Sequence, residues 1–343
     1  MKRIIVAILT LCMLPISGLC YGQRGHELVG AIADLRLTAN KKAAAKVSKL
    51  LDGLTLADAA NLADSIKGWD ECKGSSSQYT VVGGPRINAE LHAFVQANPC
   101  DGKPNHHQFH YTDVPLAGNE KYKDGAIGRN DSDIVHMIAY CIRVLAGKEP
   151  EKNPRSITKT VAVILLAHYL GDIHQPLHVG AEYFDDDGNP IEPTSAKKGH
   201  GDQGGNKLNL FLFVDGKVRA LGGLHGYWDT KVVEEAFGNT PNSEIALNLA
   251  KTEPSSWKLT GSPESLSEQM ADEIMPIARE AHKRLEYSKV RVEKGDGDIT
   301  AGRALERVVD GQPSYAAWSQ SVVKSEIHKA GWRLAAIFTA LFK

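Results

Sequence analysis

The stretch Val161-Ala162-Val163-Ile164-Leu165-Leu166-Ala167-His168-Tyr169-Leu170-Gly171-Asp172-Ile173-His174-Gln175-Pro176-Leu177-His178 decides the fold of this chain. Val161 to Leu166 is apolar without interruption, and neither Pro nor Gly occurs before Gly171, which predicts a buried helix. Its inner face then turns polar. His168 and Asp172 stand one helical turn apart and share a face, so an imidazole nitrogen and a carboxylate oxygen can converge on one cation. His178 lies beyond the Gln175-Pro176 break, from where it can serve a second ion. Histidine and carboxylate without thiolate point to zinc, and the same donors also admit manganese or iron. One histidine hydrogen-bonded to one Asp is an ordinary core pair. A whole cluster is not, because burying several such groups without a metal or partners is costly.

Leu224-His225-Gly226-Tyr227-Trp228-Asp229 repeats the one-turn spacing at His225 and Asp229. Further helices are predicted over Gly25–Ala33, Lys41–Leu51, Ala59–Trp69, Ser132–Gly147, Ser156–Leu170, Glu244–Lys251, Ser265–Glu286 and Tyr315–Phe342. His26, at the start of the first, reads by itself as a capping or surface residue. Asp64 sits among small apolar residues with Lys67 three positions on; a solvated Asp is the plain reading, weakened by those neighbours. Gln108 to Pro115 reads as extended, and alternation puts His110 on the face opposite Tyr111 and Asp113. Cys72 to His107, rich in Gly, Ser, Asn and Pro, reads as a long irregular insertion with His92, His106 and His107 on the surface. Leu208 to Val214 is a strand or hairpin arm closed by Asp215-Gly216, and Lys289 to Gly302 reads as a surface loop. Asp185-Asp186-Asp187-Gly188-Asn189 lacks the closing Glu of a calcium loop and reads as a solvated acidic turn. Candidate ligands are spread along the chain with helices throughout, which favours one mostly helical, all-α domain with a short β-hairpin.

The chain has 343 residues, a formal net charge of −1 and an ordinary hydrophobic share, so charge alone does not favour nonspecific duplex binding. Lys2 and Arg3 precede the apolar run Ile4 to Ile16, followed by small residues, the form of a secretory signal peptide too short to span a membrane comfortably. The expected mature chain therefore starts at Tyr21, is exported to the periplasm or secreted, and contains no membrane span. It keeps Cys72, Cys100 and Cys141, none in a metal-binding spacing; Cys72 and Cys100 bracket one loop and are the expected disulfide.

Together these motifs resemble the S1/P1 nuclease family. The resemblance is carried in order by Tyr21-Gly-x-x-Gly-His26, Ala63-Asp64, His110-Tyr111-x-Asp113 and the block from His168 to His178. It continues through Asp202-x-Gly204-Gly205-Asn206, Leu224-His225-x-x-Trp228-Asp229 and Ala330-Gly331-x-Arg333-Leu334-Ala335. It implies a mostly helical, phospholipase C/P1 nuclease-like fold over residues 21–343 with three zinc ions at the bottom of a cleft. Asp64, His110, His168 and Asp172 would hold one. His26, the main-chain amine and carbonyl of Tyr21 and the shared Asp172 would hold a second, and His178, His225 and Asp229 the third. Asn206 and Asp113 would hydrogen-bond a base edge, Tyr111 would stack on the base, and Lys67 would contact the phosphate. The family's mature chains usually begin with Trp where this one has Tyr21. The implied reaction is hydrolysis of single-stranded DNA and RNA to 5′-phosphate products, with 3′-nucleotidase activity left open. Two other readings are a zinc-dependent phospholipase C, which would have Glu at Asp229, and a secreted zinc-binding protein without catalysis.

Overall fold

The computed structural model describes residues 21–69, 79–252, 257–258, 260–293 and 297–343; the predicted leader and Cys72 lie outside them. Helices α1 (Gly22–Leu37) and α2 (Lys41–Leu50) are followed by two short helices, α3 (Leu56–Ala59) and α4 (Leu62–Ser65), and by a 3-10 turn at Ile66–Trp69. Helix α5 (Pro85–Ala97) and a 3-10 turn at His106–His110 lead to β1 (Val114–Pro115). Next come α6 (Ile134–Leu145), capped by Asp133, and α7 (Lys159–Asp172), capped by Thr158 through Val161 N. A 3-10 turn at Pro176–His178 and the short strands β2 (Gly180–Ala181), β3 (Tyr183–Phe184) and β4 (His200–Gly201) follow.

The hairpin β5 (Leu208–Val214) and β6 (Lys217–Gly223) precedes α8 (Leu224–Gly226) and a π-helical turn at Tyr227–Lys231. Its turn residues Asp215 and Gly216 have φ of 50° and 71°, which matches a two-residue turn to the twist of the strands. Then come α9 (Val232–Phe237), α10 (Asn242–Leu249), α11 (Leu266–Lys283), β7 (Leu285–Val292), β8 (Ile299–Glu306) and α12 (Tyr315–Leu341).

The molecule is mostly helical, as the sequence predicts, and α7 is its axis. Every residue from Thr160 to Asp172 is buried, because α1, α5, α6 and α12 pack around it. A helix enclosed on all sides has no solvent stripe, which accounts for its unbroken apolar run. Among the described residues no helix is long and apolar enough to cross a membrane. Cys141 is a buried free thiol on α6.

Several expectations are corrected. The segment read as an irregular insertion contains α5, which starts on Pro85 and buries Ile87, Leu91, Phe94 and Val95. His106 is buried against the edge of Phe94 rather than on the surface, and His107 lines a cleft. The stretch 289–302, read as a loop, carries parts of β7 and β8, which extend the hairpin into a sheet of order β6-β5-β8-β7. Register shifts between Ser288 and Val292 hide the two-residue alternation that would have marked β7. His110 ends a 3-10 turn, so turn geometry rather than strand alternation aims it. It shares one cleft with Tyr111 and Asp113 instead of facing away from them.

Candidate metal centre

Asp172, the last residue of α7, is the meeting point of the donors. Its Oδ2 lies 3.0 Å from His110 Nδ1 and 3.1 Å from His168 Nε2, and those two nitrogens face each other at 3.1 Å. Asp64 Oδ1, from α4, is 3.5 Å from His168 Nε2 and 3.8 Å from His110 Nδ1. On the other side Asp172 Oδ1 is 3.4 Å from His26 Nε2. The His26 and His168 rings stack at 3.8 Å. Past the turn after α7, His178 Nε2 is 3.5 Å from Asp229 Oδ1, and His225 Nε2 is 3.2 Å from Asp229 Oδ2.

Three sets therefore have donor atoms close enough to share an ion: His26, His168 and Asp172; Asp64, His110 and His168; His178, His225 and Asp229. All are buried except Asp64, which is nearly so. Tyr21 is fully buried, with its ring edge-on to His26 at 6.4 Å and its hydroxyl donating to His174 O. The space beside Gly22 Cα is bounded by Asp229 O and Thr230, so the start of α1 lies against the third set.

A donor set built for cations has a signature. Both ring nitrogens of His26, Oδ1 of Asp172 and Oδ2 of Asp229 are buried and make no hydrogen bond. Leaving such atoms unsatisfied costs about 1–3 kcal/mol each, and a divalent cation between them removes the penalty. The outer nitrogens are meanwhile fixed. His168 Nδ1 is 2.6 Å from Ala60 O, His178 Nδ1 is 2.8 Å from His110 O, and His225 Nδ1 is 2.7 Å from Gly204 O. Donating Nδ1–H to a carbonyl sets the tautomer that offers Nε2 to a metal. The donors thus fit zinc.

Electrostatics point the same way. Burial pushes His26, His110 and His225 down toward the neutral form that can ligate. Burial acts upward on Asp64 and Asp172, but the surrounding imidazoles, and Lys67 for Asp64, outweigh it and hold both carboxyls below the usual carboxylate range. Burial and the nearby Asp298 carboxylate push Asp113 up to about 7.

Two glycines let the parts approach. A Cβ on Gly171 would lie 2.7 Å from His26 Nδ1, so α1 can seat that ring on α7 only at a glycine. Gly204 has φ of 57°, and its missing Cβ would sit 2.2 Å from Leu177 O, so the loop ahead of β5 can bring the Gly204 carbonyl to His225.

A cleft of about 270 Å³ opens beside the sets, lined by Lys67, His107, His110, Tyr111, Asp113, Leu177, His178, Gln203, Asn206 and His225. Tyr111 is 36% exposed, which leaves its ring available for a flat ligand. Lys67 Nζ is 2.7 Å from Asp64 Oδ1, so it stands at the edge of the cleft as part of an ion pair. A family model described as S1/P1 nuclease matches residues 21–343. The chain belongs to the S1/P1 nuclease family. Endonuclease 5 of Arabidopsis thaliana is 25% identical over 248 residues, covering 71% of this chain and 67% of that protein. Endonuclease 4 of the same plant is 26% identical over 245 residues, covering 71% and 65%. The match spans about two thirds of the length of these relatives.

For this S1/P1 family chain the structure adds residues that motif reading passed over. Gln175 donates from Nε2 to Asp229 Oδ1 at 2.8 Å and accepts from Leu177 N, which holds the third set's carboxylate in place. His174 is not among the donors. Its ring lies between Leu170 O and Arg333, and Arg333 in turn pairs with Glu273. Gln203 and His107 line the cleft without a motif to mark them.

Proposed function

We propose that this protein is a zinc-dependent nuclease that hydrolyses phosphodiester bonds of single-stranded DNA and RNA, leaving 5′-phosphate and 3′-hydroxyl ends. The observation that carries the reading is the convergence of three histidine–carboxylate sets, buried but for Asp64 and with atoms of His26, Asp172 and Asp229 left unsatisfied, beside a cleft that also presents Tyr111, Asp113 and Asn206. Three zinc ions bound there would acidify an attacking water and take up charge on the phosphate and the departing 3′-oxygen.

The chain's own residues do the rest. Asp172 would be shared, its Oδ2 turned to His110 and His168 and its Oδ1 to His26. With it, Asp64, His110 and His168 would hold one ion, and His26 with the main-chain donors of Tyr21 another. His178, His225 and Asp229 form the third. Lys67, at the edge of the cleft, would give part of its charge to a phosphate bound there. Tyr111 offers a stacking surface, and Asp113 and Asn206 offer polar atoms to a base edge. A base can reach them only when it is unpaired, which favours single strands.

From Lys2, Arg3 and the apolar run Ile4 to Ile16 we further propose that residues 1–20 are removed on export to the periplasm or the exterior. Export also suits a disulfide at Cys100, for which Cys72 is the proposed partner. Single-stranded DNA, RNA and phosphatidylcholine assayed side by side test the reading. Cleavage of the nucleic acids with 5′-phosphate ends, lost to a chelator and restored by zinc, is expected. Release of phosphocholine instead would move the protein to the phospholipase C class, and no hydrolysis of any substrate would leave a zinc-binding protein.

A further inference from the structure

The hairpin β5–β6 has both of its feet in the cleft. Asn206 lines the cleft just before β5, and His225 lines it just after β6. Along β5 burial alternates, with Leu208, Leu210 and Leu212 packed inward and Asn209, Phe211 and Phe213 turned outward. Phe213 is 41% exposed, and its cross-strand partner Val218 is 46% exposed. Strand β8 runs parallel to β5 and sets Arg303 beside Asn209, with its guanidinium over the Phe211 ring at 4.0 Å. Arg303 Nε makes no hydrogen bond, and among the described residues no carboxylate pairs with Arg303 or with Lys207. The ring holds the guanidinium in place by a favourable cation–π contact, which leaves its charge open to an anion beside the exposed Phe213 ring.

Resting on the nuclease reading above, we propose that the outward face of β5 is an extension of the substrate site. It takes the nucleotides flanking the one in the cleft, with Phe213 stacking a base and Arg303 and Lys207 receiving phosphates. Alternate side chains on a strand are spaced about 6.8 Å apart, a step compatible with successive nucleotides of an extended single strand leaving the cleft. The chain has no overall basic bias, so a polyanion on this face would be held by local cations such as Arg303 and Lys207 rather than by net charge. A duplex could not use this face, because its bases have no free surface for Phe213.

The test uses the whole metal-loaded protein and the substitutions Phe213→Ala and Arg303→Gln, both on the solvent side of the sheet, with thermal melting as a check on folding. For each, kcat/KM is measured on a single-stranded dodecanucleotide and on a dinucleotide, and binding of a fluorescent phosphorothioate dodecamer is followed by anisotropy. Each substitution is expected to lower dodecamer kcat/KM and affinity on the order of tenfold and to leave the dinucleotide unchanged. Arg303→Gln should also flatten the dependence of log affinity on log salt by about 0.7. Equal effects on both substrates, or none, overturn the proposal. A shift in oligomeric state on Phe213→Ala with dodecamer binding intact also overturns it, since the face would then belong to a second copy of the chain. If the wild type cleaves neither substrate, the nuclease reading fails, and the anisotropy measurement still decides whether this face binds a single strand.

Discussion

Replacing Gln175 with methionine should release one cation from the centre and leave the other two. Gln175 is fully buried, and its Nε2 donates to Asp229 Oδ1 at 2.8 Å while the other oxygen of Asp229 faces His225 Nε2 at 3.2 Å. Methionine fills a similar volume and donates nothing, so the carboxylate loses the bond that orients it toward His178 and His225. Loss of an outer partner of this kind weakens metal affinity by roughly 10- to 100-fold, or about 1.4–2.7 kcal/mol. A second cost falls on stability, because Leu177 N–H loses its acceptor, at about 1–3 kcal/mol. The assay is zinc content per chain after equilibration in a graded series of zinc buffers, read beside the melting temperature. One zinc should leave at higher free zinc than in the wild type, while the others leave where they did before. Loss of all the zinc in one step, or a release curve identical to the wild type, would refute the idea that Gln175 serves the third set alone.

Asp172→Asn removes charge from a carboxylate that faces His26 on one oxygen and His110 and His168 on the other. It should therefore lose two zinc ions together, and metal analysis that finds only one missing contradicts a shared ligand. A single extra residue left ahead of Tyr21 should abolish activity and lower zinc content, because an amine in a peptide bond cannot ligate; full activity of that protein would show that the terminal nitrogen is not used. Asp34, which accepts from Leu56 N and Ala57 N at the start of α3, is pushed up to about 6 by burial. Its folded pKa exceeds the unfolded value of about 3.9, so the protonated form is favoured by folding and that stability is lost as pH rises from about 4 through 6. Wild type should thus lose up to about 3 kcal/mol relative to Asp34→Asn over this window, and a pH-independent difference in chemical denaturation would falsify the assignment.

What could be read from the sequence was whatever a single segment encodes. The enclosure of α7 follows from its apolar run, and the pairs His168 with Asp172 and His225 with Asp229 follow from helical spacing. His26 could not be read locally, since nothing near it in the chain distinguishes a buried ligand from a capping residue. It is buried because α1 lies on α7 at Gly171, a contact between distant segments. The same holds for Asp64, whose neighbours His110 and His168 come from other elements. The carbonyls of Ala60, His110 and Gly204 that orient the imidazoles left no mark, because every residue has a carbonyl. Strand β8 was missed for a related reason. Its parallel pairing with β5 is long-range, and the irregular register of β7 blurs the alternation beside it.

Zinc bound per chain in the purified, processed protein tests the central claim most directly. Elemental analysis set against nuclease activity during stepwise chelation should give three zinc ions per chain, with cleavage of a single-stranded oligonucleotide falling as they leave and returning as they are restored. Full cleavage by a protein that carries no zinc, or a chain that holds a single ion at saturation, would contradict the account.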